Sequence, residues 1–198
     1  MASPKPDTRE RMVGTAARLL STQGYHATGV AQVLEESASP RGSLYFHFPE
    51  GKEQMATEAV QQLGLQVGDA LRSKLNRKPD VRGGLGSILR MFARQLAATS
   101  FQLGCPVATV ALEASSAAPA LRSACAGVFA TWEAYLAERL RQELPSRPEP
   151  ERLARSILGV LEGALLLSKA KASTEPLRDA ELTLNALLGP ERPAENTR

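Results

Sequence analysis

The 198-residue sequence has few of the side chains on which catalytic, metal-binding and disulfide-stabilised proteins depend: it holds two cysteines, two histidines and 5% aromatic residues. Two thiols, Cys105 and Cys125, are too few for a disulfide framework, and free cysteines are more often buried apolar groups than oxidant sensors. His26 and His47 have no metal-ligand spacing, and no nucleophile or acid stands out as a catalytic partner for His47. We therefore expect no enzyme, no metal site and no cofactor.

The sequence also lacks a long apolar run and a strong charge of either sign. Its longest apolar stretch, residues 157–167, is interrupted by Glu162 and is too short to span a bilayer. It shows no signal-peptide pattern, so we expect a reducing bacterial cytoplasm and no membrane partner. The net charge is only +3, and residues 1–52 hold six basic and five acidic side chains. Net charge therefore gives no argument for a nucleic-acid partner, and only the local placement of hydrogen-bond donors can.

Helical periodicity is what the sequence has in abundance. Hydrophobic residues make up 43% of it, Ala and Leu are frequent, and no convincing period-two alternation occurs, which predicts an all-α fold. The first helix follows a capping box formed by Asp7 and Glu10 and stops at Gly24. Further helical patterns cover residues 29–36, 39–48, 52–74, 85–100, 105–114, 119–144, 151–171 and 177–188. A polar arm, residues 1–6, precedes them, and a polar tail follows Gly189.

Residues 37–48 contain the segment that is most informative about function. Ser39 is a good N-cap and Pro40 a good first helical residue, so a tight turn followed by a short helix is expected. The short helix before it, residues 29–36, has Thr28 as its expected N-cap. Two short helices separated by a few residues are typical of a helix-turn-helix, whose second helix enters a DNA major groove.

The side chains of the second helix can donate hydrogen bonds to phosphates or base edges, and Gly42 allows close approach of the backbone to DNA. Any one of them alone is more often an ordinary solvated residue, but the set within this pattern favours DNA binding. Thr28 and Lys52 are expected to flank the groove, because helix N-termini favour phosphate. The candidate DNA-binding residues are Thr28, Ser39, Arg41, Gly42, Ser43, Tyr45, His47 and Lys52.

The run from Ser39 to Phe48, followed by Gly51-Lys52-Glu53, closely resembles the recognition helix of TetR-family transcriptional regulators. The family pattern is a small residue, Gly, Ser or Thr, an aliphatic residue, Tyr, two aromatic or His positions and Phe, with Lys-Glu a few residues later. The resemblance covers roughly residues 8–55 directly, and the rest of the chain matches by its helical layout. It implies that Tyr45 and His47 mostly hold the phosphate backbone. Gly29 stands where the family often has Ser or Thr, so one hydroxyl contact is expected to be absent.

The resemblance also implies a division into a helix-turn-helix domain, residues 1–51, and a ligand-sensing and dimerisation domain, residues 52–198. The helix that starts at Lys52 would link the two. Residues 103–113, together with Gly51-Lys52-Glu53-Gln54 and Pro49, resemble the subgroup that contains the lincomycin-resistance and flavonoid-responsive repressors.

A ligand cavity in the larger domain is expected where bulky side chains interrupt a region rich in Ala and Leu. The alternative, that these side chains only fill the core, has equal weight for each residue. Cys105 is also a candidate redox sensor, because a helix start would lower its pKa. Glu162 could face either an interface rim or the pocket. The candidate pocket residues are Met91, Phe92, Gln95, Phe101, Cys105, Trp132, Tyr135 and Glu162.

The helix containing residues 157–167 is apolar on nearly all sides, which predicts burial on more than one face. Gly159 and Gly163, four residues apart, would let another helix approach closely. Together with the stripe in residues 177–188, this predicts a four-helix dimer interface, which is also how the TetR family dimerises. The candidate interface residues are Ile157, Gly159, Val160, Gly163, Leu167, Leu184 and Leu187.

These features together predict a sequence-specific, DNA-binding transcriptional regulator. By resemblance it is a homodimeric repressor that an apolar or aromatic small molecule releases from double-stranded operator DNA. Three alternatives stay open: a helical enzyme that uses the C-terminal cavity, a protein-interaction module whose helix-turn-helix has lost DNA, and an activator or nucleoid-type protein.

Overall fold

A computed structural model describes residues 7–114 and 118–189 of the chain. Within these ranges the chain forms helices and no strand, which confirms the all-α prediction. The helices are α1 (Thr8–Ala27), α2 (Val30–Glu36), α3 (Ser43–His47), α4 (Lys52–Asn76), α5 (Val81–Ala98), α6 (Pro106–Glu113), α7 (Pro119–Glu143), α8 (Pro150–Lys171) and α9 (Glu175–Leu188). The predictions for the polar arm and for the tail beyond residue 189 lie outside the described residues.

Helix α1 begins with the expected capping box. The Glu10 N–H donates to Asp7 Oδ1 at 2.8 Å, and the Asp7 N–H donates to Glu10 Oε2 at 3.1 Å. These two bonds satisfy backbone donors that the first turn of a helix would otherwise leave free.

The end of α1 differs from the prediction. Gly24 adopts φ +79°, but the helix resumes after this break and ends at Ala27. Thr28 is not the N-cap of α2, because Gly29 takes that position. The Thr28 side chain is buried, and its hydroxyl donates to the Gly24 carbonyl at 2.6 Å. The hydroxyl therefore satisfies an acceptor that the break in α1 exposes.

Helix α3 is shorter than predicted, since it starts at Ser43 and not at Ser39 or Pro40. Pro40 lies in a turn. Its carbonyl accepts hydrogen bonds from the Ser43 N–H at 2.9 Å and from the Ser43 hydroxyl at 2.7 Å. Ser39 does not cap a helix, and its hydroxyl is paired with that of Ser37 at 2.8 Å. Gly42 is a poor helix former and Ser43 bonds locally, so the turn prevails over the first helical turn.

The larger domain has its helices close to the predicted positions, with one exception. Helix α5 begins at Val81, four residues before the predicted start at Leu85, because Asp80 Oδ1 accepts from the Gly83 N–H at 2.7 Å and caps it. Gly83 and Gly84 resemble a loop in the sequence, but a Cβ at Gly84 would lie 3.1 Å from the Leu75 Cα of α4. The glycine thus permits close packing of α5 on α4.

One continuous apolar core runs through both parts of the chain. The apolar stripe of α7 is buried, and its largest member, Trp132, donates its Nε1–H to the Gly64 carbonyl of α4 at 3.0 Å. Across the part of the chain that the structure describes, no helix combines the length and hydropathy needed to cross a membrane.

Candidate nucleic-acid interface and ligand cavity

Helix α3 is anchored to the rest of the chain by two apolar side chains. Leu44 and Phe48 are both buried, one turn apart on the same face. The Arg9 guanidinium of α1 lies 5.1 Å from the centre of the Phe48 ring and pairs with Glu58 of α4 at 2.6 Å. This packing sets which side of α3 faces outwards.

The turn before α3 is held by a residue that the sequence analysis missed. Arg11 Nε donates to the Ser37 carbonyl at 3.0 Å and so ties α1 to the end of α2. A cation on the partly buried side of an amphipathic helix gives no distinctive sequence signal, so only the structure reveals this role.

Arg41, Tyr45 and Phe46 are exposed in α3 and the turn before it. Tyr45 is 71% exposed and Phe46 82% exposed, and Arg41 and Gly42 lie exposed just before the helix. A Cβ added at Gly42 would meet no protein atom within 4 Å, so the space outside this glycine is open. Phe46 was not among the predicted residues, although its position two residues from Leu44 and from Phe48 places it on the opposite side of the helix.

The serine and threonine hydroxyls among the predicted DNA-binding residues are engaged within the chain. Thr28 is buried, Ser39 is paired with Ser37, and the Ser43 hydroxyl is bonded to the Pro40 carbonyl. His47 is half-buried and lies 4.9 Å from Phe46, ring centre to ring centre, in an edge-on arrangement. The exposed donors of this surface are therefore Arg41 and Tyr45.

Lys52 starts α4 and is held beside the helix-turn-helix. Its ammonium lies 4.4 Å from the centre of the Tyr25 ring, and partial burial lowers its pKa, while the Glu113 carboxylate opposes that shift. Gly51, just before it, adopts φ +71°, and a Cβ there would lie 3.3 Å from Tyr45 Cε1. The glycine allows a turn that an L side chain resists, and the Tyr45 ring packs over it.

A cavity of about 700 Å³ lies between α6, α7 and α8, and we call it the α6–α8 cavity. Of the predicted pocket residues, Cys105 and Glu162 line it. Most of its wall consists of small or aliphatic residues. The lining residues are Gly104, Cys105, Ala108, Thr109, Ala111, Leu112, Glu113, Phe129, Glu133, Arg155, Leu158, Gly159, Glu162, Gly163, Leu165, Leu166 and Lys169.

The other predicted pocket residues lie elsewhere. Phe92 and Trp132 are buried in the core, Met91 and Phe101 pack against it, and Gln95 is exposed. Tyr135 has the Arg72 guanidinium 5.3 Å from its ring centre and lines a separate cavity of about 530 Å³ between α4 and α7. Large side chains fill space, so the cavity opens where residues are small, as at Ala108, Gly159 and Gly163.

The two predicted residues in the cavity wall, Cys105 and Glu162, affect each other's protonation. Burial raises the pKa of Glu162, and interaction with the Cys105 thiol opposes the shift. Burial, reinforced by the Glu162 charge, raises the pKa of Cys105 well above its ordinary value. The expectation of a thiol acidified by the helix start is therefore wrong, because loss of hydration outweighs the helix N-terminus.

Exposed apolar side chains lie on both α8 and α9, and we refer to them together as the apolar face of α8 and α9. Leu167 is 52% exposed, Leu187 41% and Leu182 70%, and Leu182 was not predicted. Val160 and Gly163 are half-buried and Gly159 is exposed. By contrast, Ile157 and Leu184 are buried within the subunit, so these two predicted interface residues are not available to a partner. They lie on the core side of their helices, which the sequence stripes did not distinguish from the outer side.

Within the described ranges, no group of three or more His, Cys, Asp or Glu side chains is placed to hold a metal ion. The charged groups at the cavity rim include a Glu133–Arg155 ion pair at 3.3 Å.

Comparison with known proteins gives matches along most of the chain. Residues 13–59 match the family model of bacterial regulatory proteins of the tetR family, and residues 83–182 match that of the LmrA/YxaF-like transcriptional regulator C-terminal domain. The chain is 36% identical over 171 residues to the uncharacterized HTH-type transcriptional regulator YxaF of Bacillus subtilis (strain 168), covering 86% of this chain and 90% of that protein. It is 34% identical over 171 residues to the HTH-type transcriptional regulator LmrA of the same organism, covering 86% and 91%.

Solved structures with the same fold include the reduced form of Escherichia coli NemR, with a TM-score of 0.80 and 22% identity over 91% of this chain and 96% of that one. Another is a cysteine mutant of the TetR-family regulator CifR in complex with 26-base-pair operator DNA. Its TM-score is 0.77 and its identity 25%, over 92% of this chain and 98% of that one.

Proposed function

This chain belongs to the TetR family of DNA-binding transcriptional regulators, and we propose that it is a repressor that a small molecule releases from its operator. Membership in the family confirms the resemblance of residues 39–48 to a TetR recognition helix. It also confirms that the chain is a regulator and not an enzyme, since the matched families and relatives are transcriptional regulators.

The observation that carries the proposal is the orientation of α3. Leu44 and Phe48 fasten this helix to the core, while Tyr45 within it and Arg41 just before it are exposed to solvent. A guanidinium can bond a guanine edge or a phosphate, and a tyrosine hydroxyl can bond a phosphate. Residues 1–51 then serve as the DNA-binding domain, and residues 52–198 as the domain that senses ligand and dimerises.

The apolar face of α8 and α9 supports a homodimer. Leu167, Leu182 and Leu187 are exposed on two helices that pack against each other, and exposed apolar side chains there fit a surface that another chain covers. A symmetric dimer would place two α3 helices in successive major grooves, about 34–36 Å apart. A small pivot of α4, which joins the two parts of the chain, would spoil this spacing and release the operator.

The α6–α8 cavity supports an apolar or aromatic ligand. Its volume of about 700 Å³ is within the range typical of small-molecule sites, and its mostly small or aliphatic wall also holds polar groups such as Glu162. A regulator of this kind acts in the bacterial cytoplasm, where its operator lies. Efflux-type target genes are the expectation from the subgroup to which the C-terminal domain is similar.

The test is selection of bound duplexes from a random DNA pool, followed by the salt dependence of the selected sequence. A palindromic motif with two half-sites, whose binding weakens with added salt, is the expected result. Intact helical dimers that enrich no motif would overturn the operator model and favour a protein-interaction module. A reporter gene placed behind the selected operator distinguishes a repressor from an activator. A small molecule that abolishes operator binding should raise reporter expression for a repressor and lower it for an activator.

A further inference from the structure

The break in α1 at Gly24 leaves backbone donors without helical partners. A change to φ +79° interrupts the helix, so the N–H groups just after it resemble those of a new helix N-terminus. The His26 N–H is satisfied from another helix, since it donates to Glu113 Oε2 of α6 at 2.7 Å. A hydrogen bond from an amide to a carboxylate is stronger than one between neutral groups.

Gly24 and Glu113 fit each other closely. A Cβ added at Gly24 would lie 2.7 Å from the Glu113 Cδ and would overlap the carboxylate oxygen. Any side chain at position 24 would therefore displace the Glu113 carboxylate. It would also strain the backbone, because residues other than glycine resist a positive φ.

The break in α1 is coupled to the start of the helix-turn-helix. The Thr28 hydroxyl donates to the Gly24 carbonyl at 2.6 Å. The Gln23 side-chain Nε2 donates to Gln32 Oε1 in α2 at 2.9 Å. The geometry at Gly24 thus sets where α2 begins and how it lies on α1.

Glu113 also belongs to the wall of the α6–α8 cavity. It is the last residue of α6, and its neighbours Ala111 and Leu112 line the same cavity. Its charge reaches Lys52 at the start of α4 as well. The Glu113 carboxylate therefore belongs to the cavity wall, bonds the backbone after the break in α1, and interacts electrostatically with Lys52 of α4.

We propose that Glu113 is the positioning residue that transmits occupancy of the α6–α8 cavity to the helix-turn-helix. This rests on the proposed function, ligand-controlled operator binding. A molecule in the cavity shifts the end of α6 and withdraws the carboxylate from the His26 N–H. The break at Gly24 then loses its partner, and the junction of α1 and α2 loosens.

The first arm of the test needs no ligand and follows hydrogen exchange at the His26 amide by NMR. Glu113→Ala should raise that exchange rate by at least about fivefold, because it removes the acceptor. Glu113→Gln keeps a neutral oxygen acceptor, so its exchange rate should lie between those of the wild type and Glu113→Ala. Glu133→Ala removes another carboxylate of the same cavity wall, on α7, and should leave the His26 amide unchanged. Gly24→Ala, which displaces the carboxylate but keeps Glu113, is a second variant with the same expected direction as Glu113→Ala.

The second arm fills the cavity with N-phenyl-1-naphthylamine, a neutral aromatic probe whose fluorescence rises in apolar surroundings. Binding of the probe should speed His26 exchange in the wild type and in Glu133→Ala. In Glu113→Ala, exchange is already fast and should not respond, although the probe still binds. An unchanged rate in Glu113→Ala without probe, or an equal response to bound probe in Glu113→Ala and wild type, overturns the proposal.

Operator affinity, measured on the selected duplex, separates this proposal from the proposed function. If the probe weakens operator binding equally in wild type and Glu113→Ala, ligand release stands and the role of Glu113 fails. If His26 exchange responds to the probe and operator affinity does not, the contact works as proposed and ligand release of the operator fails.

Discussion

Arg41 and Arg94 are both exposed arginines, but only Arg41 lies beside an anchored recognition helix. Arg41→Ala should weaken operator binding by about 1–3 kcal/mol, since a guanidinium that bonds a base edge or phosphate contributes on that order. Fluorescence anisotropy on the selected duplex measures the loss, and the melting temperature should not change because the side chain is exposed. Arg94→Ala on α5 is the matched control. Equal affinities for wild type and Arg41→Ala would remove Arg41 from the interface.

Glu162 provides a prediction on pH. Burial raises its pKa in the folded chain, so the folded state holds this proton more tightly than the unfolded state does. The free energy of unfolding should therefore fall as pH rises above about 4.3, the ordinary glutamate value, until the raised folded pKa has been passed. Glu162→Gln removes this dependence. Urea unfolding of both proteins across that window should show the variant gaining stability relative to wild type, and a constant difference would contradict the shift.

Contacts between helices require a glycine at position 64 but not at position 127. A Cβ at Gly64 of α4 would lie 2.7 Å from Val128 Cγ1 of α7, while a Cβ at Gly127 of α7 would meet nothing within 4 Å. Gly64→Ala should destabilise the fold by about 1–3 kcal/mol through overpacking. Gly127→Ala should stabilise it by up to about 1 kcal/mol through helix propensity. Urea unfolding compares the two, and a change of the same sign in both variants would contradict this packing.

Helix boundaries show which part of the fold the sequence predicts. The start of α1 was predicted correctly because Asp7 and Glu10 cap each other locally, and α7 because Pro119 begins it and its apolar stripe is long. The start of α5 was missed because Gly83 and Gly84 have low helix propensity, and tertiary packing on α4 overrides it. Helix capping by neighbouring residues can be predicted from a sequence, whereas contacts between distant helices cannot.

The same distinction applies to the candidate sites. The exposed side of α3 follows from the spacing of Leu44 and Phe48, so a surface with Tyr45 could be predicted from the sequence. The cavity could not, because its walls come from separate helices and its volume arises where residues such as Ala108 are small. Bulky residues such as Trp132 lie in the core, so they did not indicate the position of the cavity.

At the scale of the whole molecule, the apolar face of α8 and α9 sets the expected assembly. Leu182 is 70% exposed on α9, and Leu65 is 65% exposed on α4, so both present similar apolar area to solvent. If the α8–α9 face joins two subunits, Leu182→Glu buries a charge in the interface, whereas Leu65→Glu places it in water. Burial of an unpaired charge is costly, so Leu182→Glu should shift the protein towards monomers.

Sedimentation velocity over a range of concentrations measures this shift, and circular dichroism should show the same helical content in both variants. A monomer has one recognition helix, so Leu182→Glu should also lose most of its affinity for a two-half-site operator but keep weak, salt-sensitive binding to a single half-site. Leu65→Glu should remain dimeric and bind the full operator. A dimeric Leu182→Glu protein with wild-type operator affinity would place the subunit interface away from Leu182 on α9.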